Sequence, residues 1–156
     1  MHFHFEPMNV TNAEKLTNWH YEPPYQMYNS TSDPNLIEYF VDPQNAYYSI
    51  LDRDELVAFC CFGKEAQVPG GNYQMEAIDI GLGVRPDLTG QGKGQMYIAD
   101  VLEFARLTFN PQFLRITIAA FNQRALRAWQ KAGFVRVQSF SAQNDQQSFI
   151  VLVSHF

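Results

Sequence analysis

The chain is poor in cysteine: Cys60 and Cys61 are the only two in its 156 residues, and they are adjacent inside an apolar run. Neighbouring residues of a strand point to opposite faces, so the pair is badly placed for a disulfide. They read as buried thiols of a reducing compartment. Basic residues are also scarce. Eleven Lys and Arg stand against sixteen Asp and Glu, a formal net charge of −5, which argues against a nucleic-acid partner. No window approaches the roughly 18 apolar residues of a membrane helix. The first ten residues hold neither Lys nor Arg and no long apolar run, so they lack the marks of a secretory signal. A cytoplasmic protein without a membrane partner is the expectation, and a homodimer is left open. His2 and His4 have no metal-ligand company, and no metal is expected.

Apolar residues, by contrast, make up 46% of the chain and aromatics 15%. That suffices for one packed domain over residues 1–156. Periodicity predicts strands at 1–10, 45–51, 55–63, 73–84, 114–120, 134–140 and 147–155. Helices are expected from Thr11, in a capping box with Glu14, to about Trp19; from Asp33-Pro34 to about Val41; from Gly92 to about Phe109; and from Asn122 to Gly133. The polar stretch Ser141–Gln146 reads as a turn. The order β-α-α-β-β-β-α-β-α-β-β is not the regular alternation of a doubly wound fold.

The densest information lies in Val84–Gln95, where Gly90, Gly92 and Gly94 separate a strand from a helix. Glycines so spaced let backbone N–H groups converge on a ligand, and the helix start adds its positive dipole end. This is a pyrophosphate cradle in outline. It is not a Walker loop, because Lys93 is followed by Gly94 and not by Ser or Thr. Nor is it a dinucleotide fingerprint, because its last glycine interval is one residue too short. A tight turn is the plain alternative, though a turn needs one such glycine and not three. Gly81 and Gly83, inside the preceding strand, suggest a bulge or a close backbone approach.

Thr89-Gly90-Gln91-Gly92-Lys93-Gly94 resembles the Gln/Arg-x-x-Gly-x-Gly/Ala motif of the GNAT superfamily of N-acetyltransferases, with Thr89 departing at the first position. About 30 residues later, Asn122-x-x-Ala125-x-x-x-Trp129-x-x-x-Gly133-Phe134 is similar to that superfamily's second motif, with Trp129 where tyrosine is usual. The element order agrees as well. The resemblance implies a mixed α/β (α+β) GNAT-like fold, with about seven mostly antiparallel strands flanked by about four helices. It implies acetyl-CoA as donor, coenzyme A as product, and a primary amine of a small molecule or a peptide as acceptor. Backbone groups of Leu82, Gly83 and Val84 would pair with the pantetheine arm, and N–H groups from Gly90 to Gln95 would hold the diphosphate. Asn122 would bond the arm, with Ala125 and Trp129 bordering its thiol end. Arg85, Lys93, Arg124 and Arg127 are candidates for phosphate charges. On their own, Asn122 reads equally as a helix N-cap and Trp129 as core.

The resemblance further implies Val84 N–H as the contact for the acetyl oxygen. For the general base two carboxylates compete. Glu76 stands eight residues before Val84, as does a glutamate of the ribosomal-protein alanine acetyltransferase branch. Asp79, between Ile78 and Ile80, would be half buried with a raised pKa. Trp129 cannot act as the general acid, since indole N–H only donates, and the role stays unassigned between Tyr97, Tyr21 and no group at all. The aromatic cluster Trp19, His20, Tyr21, Tyr25 and Tyr28 suits an acceptor amine through its ring faces, or serves simply to anchor a loop. The competing class is a binding module that holds acetyl-CoA but has lost catalysis.

Overall fold

The computed structural model describes residues 1–143 and 146–155. Asn144 and Asp145 of the expected polar turn lie outside the described residues. Seven strands form one sheet in the order β1-β2-β3-β4-β5-β7-β6. They are β1 (His4–Pro7), β2 (Tyr47–Asp52), β3 (Glu55–Phe62), β4 (Ile78–Val84), β5 (Phe113–Ala119), β6 (Val135–Ser141) and β7 (Ser148–His155). Helices α1 (Val10–Thr17) and α2 (Leu36–Val41) follow β1, while α3 (Gly94–Phe109) and α4 (Gln123–Lys131) flank β5. The element order is the expected one. Every neighbouring pair of strands is antiparallel except β4 with β5.

Alternation along β3 divides the core. Ala58 and Cys60 enter the larger cluster with Ile98 and Val101 of α3 and Leu126 and Trp129 of α4. Phe59 between them packs into the smaller cluster with Leu16 of α1 and Phe40 of α2. Both cysteines are free and buried.

Several boundaries differ from the expectation, the first strand among them at His4–Pro7 against 1–10, and three have a visible cause. The first helix is capped by Asn9, whose Oδ1 accepts from the N–H of Asn12 at 2.8 Å, and not by Thr11. An Asn side chain in extended backbone caps as well as Thr, so the two signals competed two residues apart. The third helix begins at Gly94, two residues late, because Gly90 and Gly92 take φ of +71° and +77° and cannot belong to a helix. The strand expected from Tyr73 begins only at Ile78. Residues 73–77 are instead tied by Tyr73 Oη to Thr117 Oγ1 (2.8 Å) and by the Met75 carbonyl to Arg115 (2.7 Å). No helix of the described residues is long and apolar enough to cross a membrane.

Candidate active site

Strands β4 and β5 share register only from Ile78/Leu114 to Ile80/Ile116. Beyond that point they splay apart, while β4 stays paired with β3 as far as Val84. Two bonds fix the phase of the β3–β4 ladder: Gly63 N–H donates to the Asp79 carbonyl and Arg85 N–H to the Val57 carbonyl, both at 2.9 Å. In an antiparallel ladder such residues alternate with ones facing the other way. Odd-numbered residues of β4 therefore turn their N–H and C=O toward β3, and Leu82 and Val84 turn theirs into the gap. Tyr21 Oη donates to the Val84 carbonyl at 2.6 Å, across the mouth of the gap. Gly83 faces β3 instead, and a Cβ there would strike the Phe59 ring; one on Gly81 would sit 2.7 Å from Cys61 Sγ. The two glycines thus serve a close approach of β3 side chains, and no bulge is involved.

The fork opens into a cleft of about 900 Å3. Its upper rim is the loop 90–95. Among the described residues, no protein group accepts from the N–H groups of Gly90 through Gln95, and the start of α3 has no side-chain cap. A Cβ on Gly92 would meet nothing within 4 Å. Lys93, Arg124, Arg127 and Lys131 line the same cleft. Arg85 does not: it is spent on Asp87 (2.7 Å) and Glu55 (3.2 Å). Thr89 Oγ1 donates to the Pro86 carbonyl and Gln91 Nε2 to that of Asp87, which shape the loop. Gln95 Nε2 ties α3 to the Ala128 carbonyl of α4 at 2.9 Å.

The expected carboxylates stand elsewhere. Glu76 is exposed, precedes β4 and does not line the cleft. Asp79 is 2% exposed and locked bidentately to Arg115 at 2.6 and 2.7 Å, with Gln67 Nε2 donating to it at 2.9 Å. It closes the apex of the fork and has no free oxygen to offer a substrate. The one carboxylate lining the cleft, among the described residues, is Glu65. Glu65 sits on a short 3-10 turn whose next residue, Ala66, packs on Gly81. Sequence reasoning passed over it, because the turn carries no periodicity or motif. Cys61 lines the same stretch, and burial pushes its thiol up to about 12. It rests as a neutral thiol at physiological pH.

The aromatic residues form a strap across the cleft. Tyr21, Tyr25 and Tyr28 line it, whereas Trp19 packs on Phe59 (centroids 6.1 Å) outside it. Tyr21 grips the β4 lip through Val84. On the opposite lip Tyr28 Oη accepts from Asn122 Nδ2 (3.0 Å), and Tyr25 lies under the Arg124 guanidinium (4.4 Å). Burial raises the pKa of Tyr21 and of Tyr28, so both stay protonated. Asn122 is the N-cap of α4, with Oδ1 accepting from Ala125 N–H at 3.1 Å. Trp129 is core, edge-on to Phe134. No enclosed side-chain nitrogen lacks a partner among the described residues. Trp129 and Ala125 line the cleft.

The family model described as Acetyltransferase (GNAT) family matches residues 13–134. No curated protein matches in sequence. Solved structures do resemble the chain. An acetyltransferase (GNAT family) from Bacillus anthracis has a TM-score of 0.77 at 11% identity, over 99% of this chain and 95% of the other. An aminoglycoside N(6')-acetyltransferase from Legionella pneumophila scores 0.75 at 19% identity, over 99% and 92%. A spermidine N-acetyltransferase from Vibrio cholerae, solved with CoA and spermine, scores 0.69 at 16% identity, over 99% and 95%. At these identities the likeness establishes the fold.

Proposed function

The chain belongs to the acetyltransferase (GNAT) family, and on that premise we propose that it moves an acetyl group from acetyl-CoA directly to a primary amine. The observation that carries the reading is the row of unspent N–H groups from Gly90 to Gln95, beside four cations and above two inward-facing strand amides. A diphosphate needs donors and positive charge, and an amide-bearing arm needs a strand edge. Acetyl-CoA supplies an acetyl group activated as a thioester.

The residues divide the work by position. The loop 90–95, with Lys93, Arg124 and Arg127, holds the diphosphate. From there an arm runs down the fork, meeting Val84 first and Leu82 deeper. Val84 N–H therefore serves the arm, and Leu82 N–H, nearer the apex, donates to the reacting carbonyl oxygen. This moves the role expected of Val84 by two residues, to the next amide that faces the gap. Glu65, beside Gly81, takes the place foreseen for Glu76 and receives the proton of the attacking amine. The burial of Cys61 as a neutral thiol supports direct transfer without a covalent enzyme intermediate.

Calorimetry with coenzyme A tests the cradle. Gly92→Glu puts bulk and negative charge where the Cβ direction is open, and the expected result is loss of measurable binding in a folded variant. Unchanged affinity would refute the loop assignment.

A further inference from the structure

A second, smaller cavity of about 240 Å3 adjoins the cleft and shares Tyr21, Tyr28 and Phe59 with it. Leu16, Leu36, Phe40, Tyr39 and Tyr47 form its far walls, and Asn29, Ser30 and Thr31 its polar edge. None of its lining residues is charged. Tyr39 and Tyr47 meet hydroxyl to hydroxyl at 3.3 Å, and burial keeps both phenols neutral. The chamber's own walls therefore offer an incoming molecule ring faces, aliphatic surface and hydroxyl dipoles, and the nearest carboxylate is Glu65, which acts on the Tyr39 hydroxyl.

Resting on the acetyl-transfer reading above, we propose that the acceptor is a primary amine carried on an uncharged, ring-sized apolar body that seats in this tyrosine-walled cavity, with its nitrogen directed to Glu65. Size agrees: a cavity of roughly 150 Å3 holds benzene, so the chamber takes one ring and a short alkyl chain. Charge agrees as well. Glu65 is the single carboxylate in the main cleft, against four cations, among the described residues. A polyamine or an aminosugar brings several ammonium groups. Each one without a carboxylate would be desolvated without compensation. One amine can be satisfied here; three cannot. The two similar proteins named for spermidine and aminoglycoside share the fold, but this cavity lacks the charges such acceptors need.

The test is thiol release from acetyl-CoA by the full chain with 2-phenylethylamine, 1,4-diaminobutane, spermidine, kanamycin and a free-amino tetrapeptide. The expected result is a kcat/KM for 2-phenylethylamine at least 10-fold above each of the others. A Ser30→Glu variant, which adds a carboxylate to the polar edge, should lower that value at least 5-fold and raise it for 1,4-diaminobutane, with KM for acetyl-CoA unchanged. A faster polycation or peptide, or a Ser30→Glu variant without effect on the preference, overturns the acceptor assignment and leaves acetyl transfer standing. Calorimetric binding of acetyl-CoA with no turnover of any amine overturns both, and absence of that binding locates the failure in the coenzyme assignment.

Discussion

Replacing Arg115 with methionine tests what holds the fork together. The Arg115 guanidinium makes two bonds to Asp79 and one to the Met75 carbonyl, all between 2.6 and 2.7 Å, and both charged side chains are at least 96% enclosed. Arg115→Met retains most of the volume but leaves the Asp79 carboxylate with Gln67 alone. Breaking a buried pair from one side costs about 3–5 kcal/mol, because the surviving charge stays desolvated. With an m-value of about 2 kcal/mol per molar urea, about 4 kcal/mol lowers the unfolding midpoint by about 2 M. The pair spans the only register shared by β4 and β5, so coenzyme affinity should fall with stability. Adding Asp79→Leu removes the orphaned charge, and the double variant should recover all but about 1–2 kcal/mol, since apolar replacement of a whole buried pair is often near neutral. Equilibrium urea unfolding of the single variants and the double measures this. A loss below about 1 kcal/mol for Arg115→Met, or a double variant as unstable as the sum of the singles, would refute the electrostatic account of the apex.

Three further outcomes are expected. Glu65→Gln should lower kcat/KM by roughly 10²-fold with little change in KM for acetyl-CoA, while Glu76→Gln leaves both alone; the reverse pattern in steady-state kinetics would restore Glu76. Trp129→Phe should weaken coenzyme binding more than it alters the pH profile, since indole N–H donates without titrating; a lost basic limb would show that it takes part in proton transfer. Burial raises Cys61 from 9.0 to about 12, and it raises Tyr21 and Tyr47 above 10.0. The folded state thus holds these protons more tightly than the unfolded one. Stability is whole below about pH 9 and declines as pH climbs from there toward 12. Urea midpoints at pH 8 and pH 10.5 should show the fall, and a flat profile would contradict it.

What the sequence made legible follows a physical divide. The order of elements and the glycine loop were readable because they rest on local chemistry: strand alternation, glycine at positive φ, a helix start. Asn122 and Trp129, singled out by their motif, both line the cleft, yet their protein partners were not visible. Asn122 is shared between its own helix and Tyr28, a residue 94 positions away. The misplaced catalytic candidates share one cause. The strand was expected to run from Tyr73 to Val84, so Glu76 and Asp79 were assigned to one strand. Arg115 decides otherwise, because a single guanidinium enclosed between β4 and β5 binds both the Asp79 carboxylate and the Met75 carbonyl. That contact ends the strand, exposes Glu76 and neutralises Asp79, and it depends on a register between parallel strands that no local signal encodes. The same fork leaves Glu65 as the carboxylate facing the cleft. The shape of this cleft is therefore fixed by where two strands part, and the role proposed for Glu65, on an unpatterned turn, rests on that geometry.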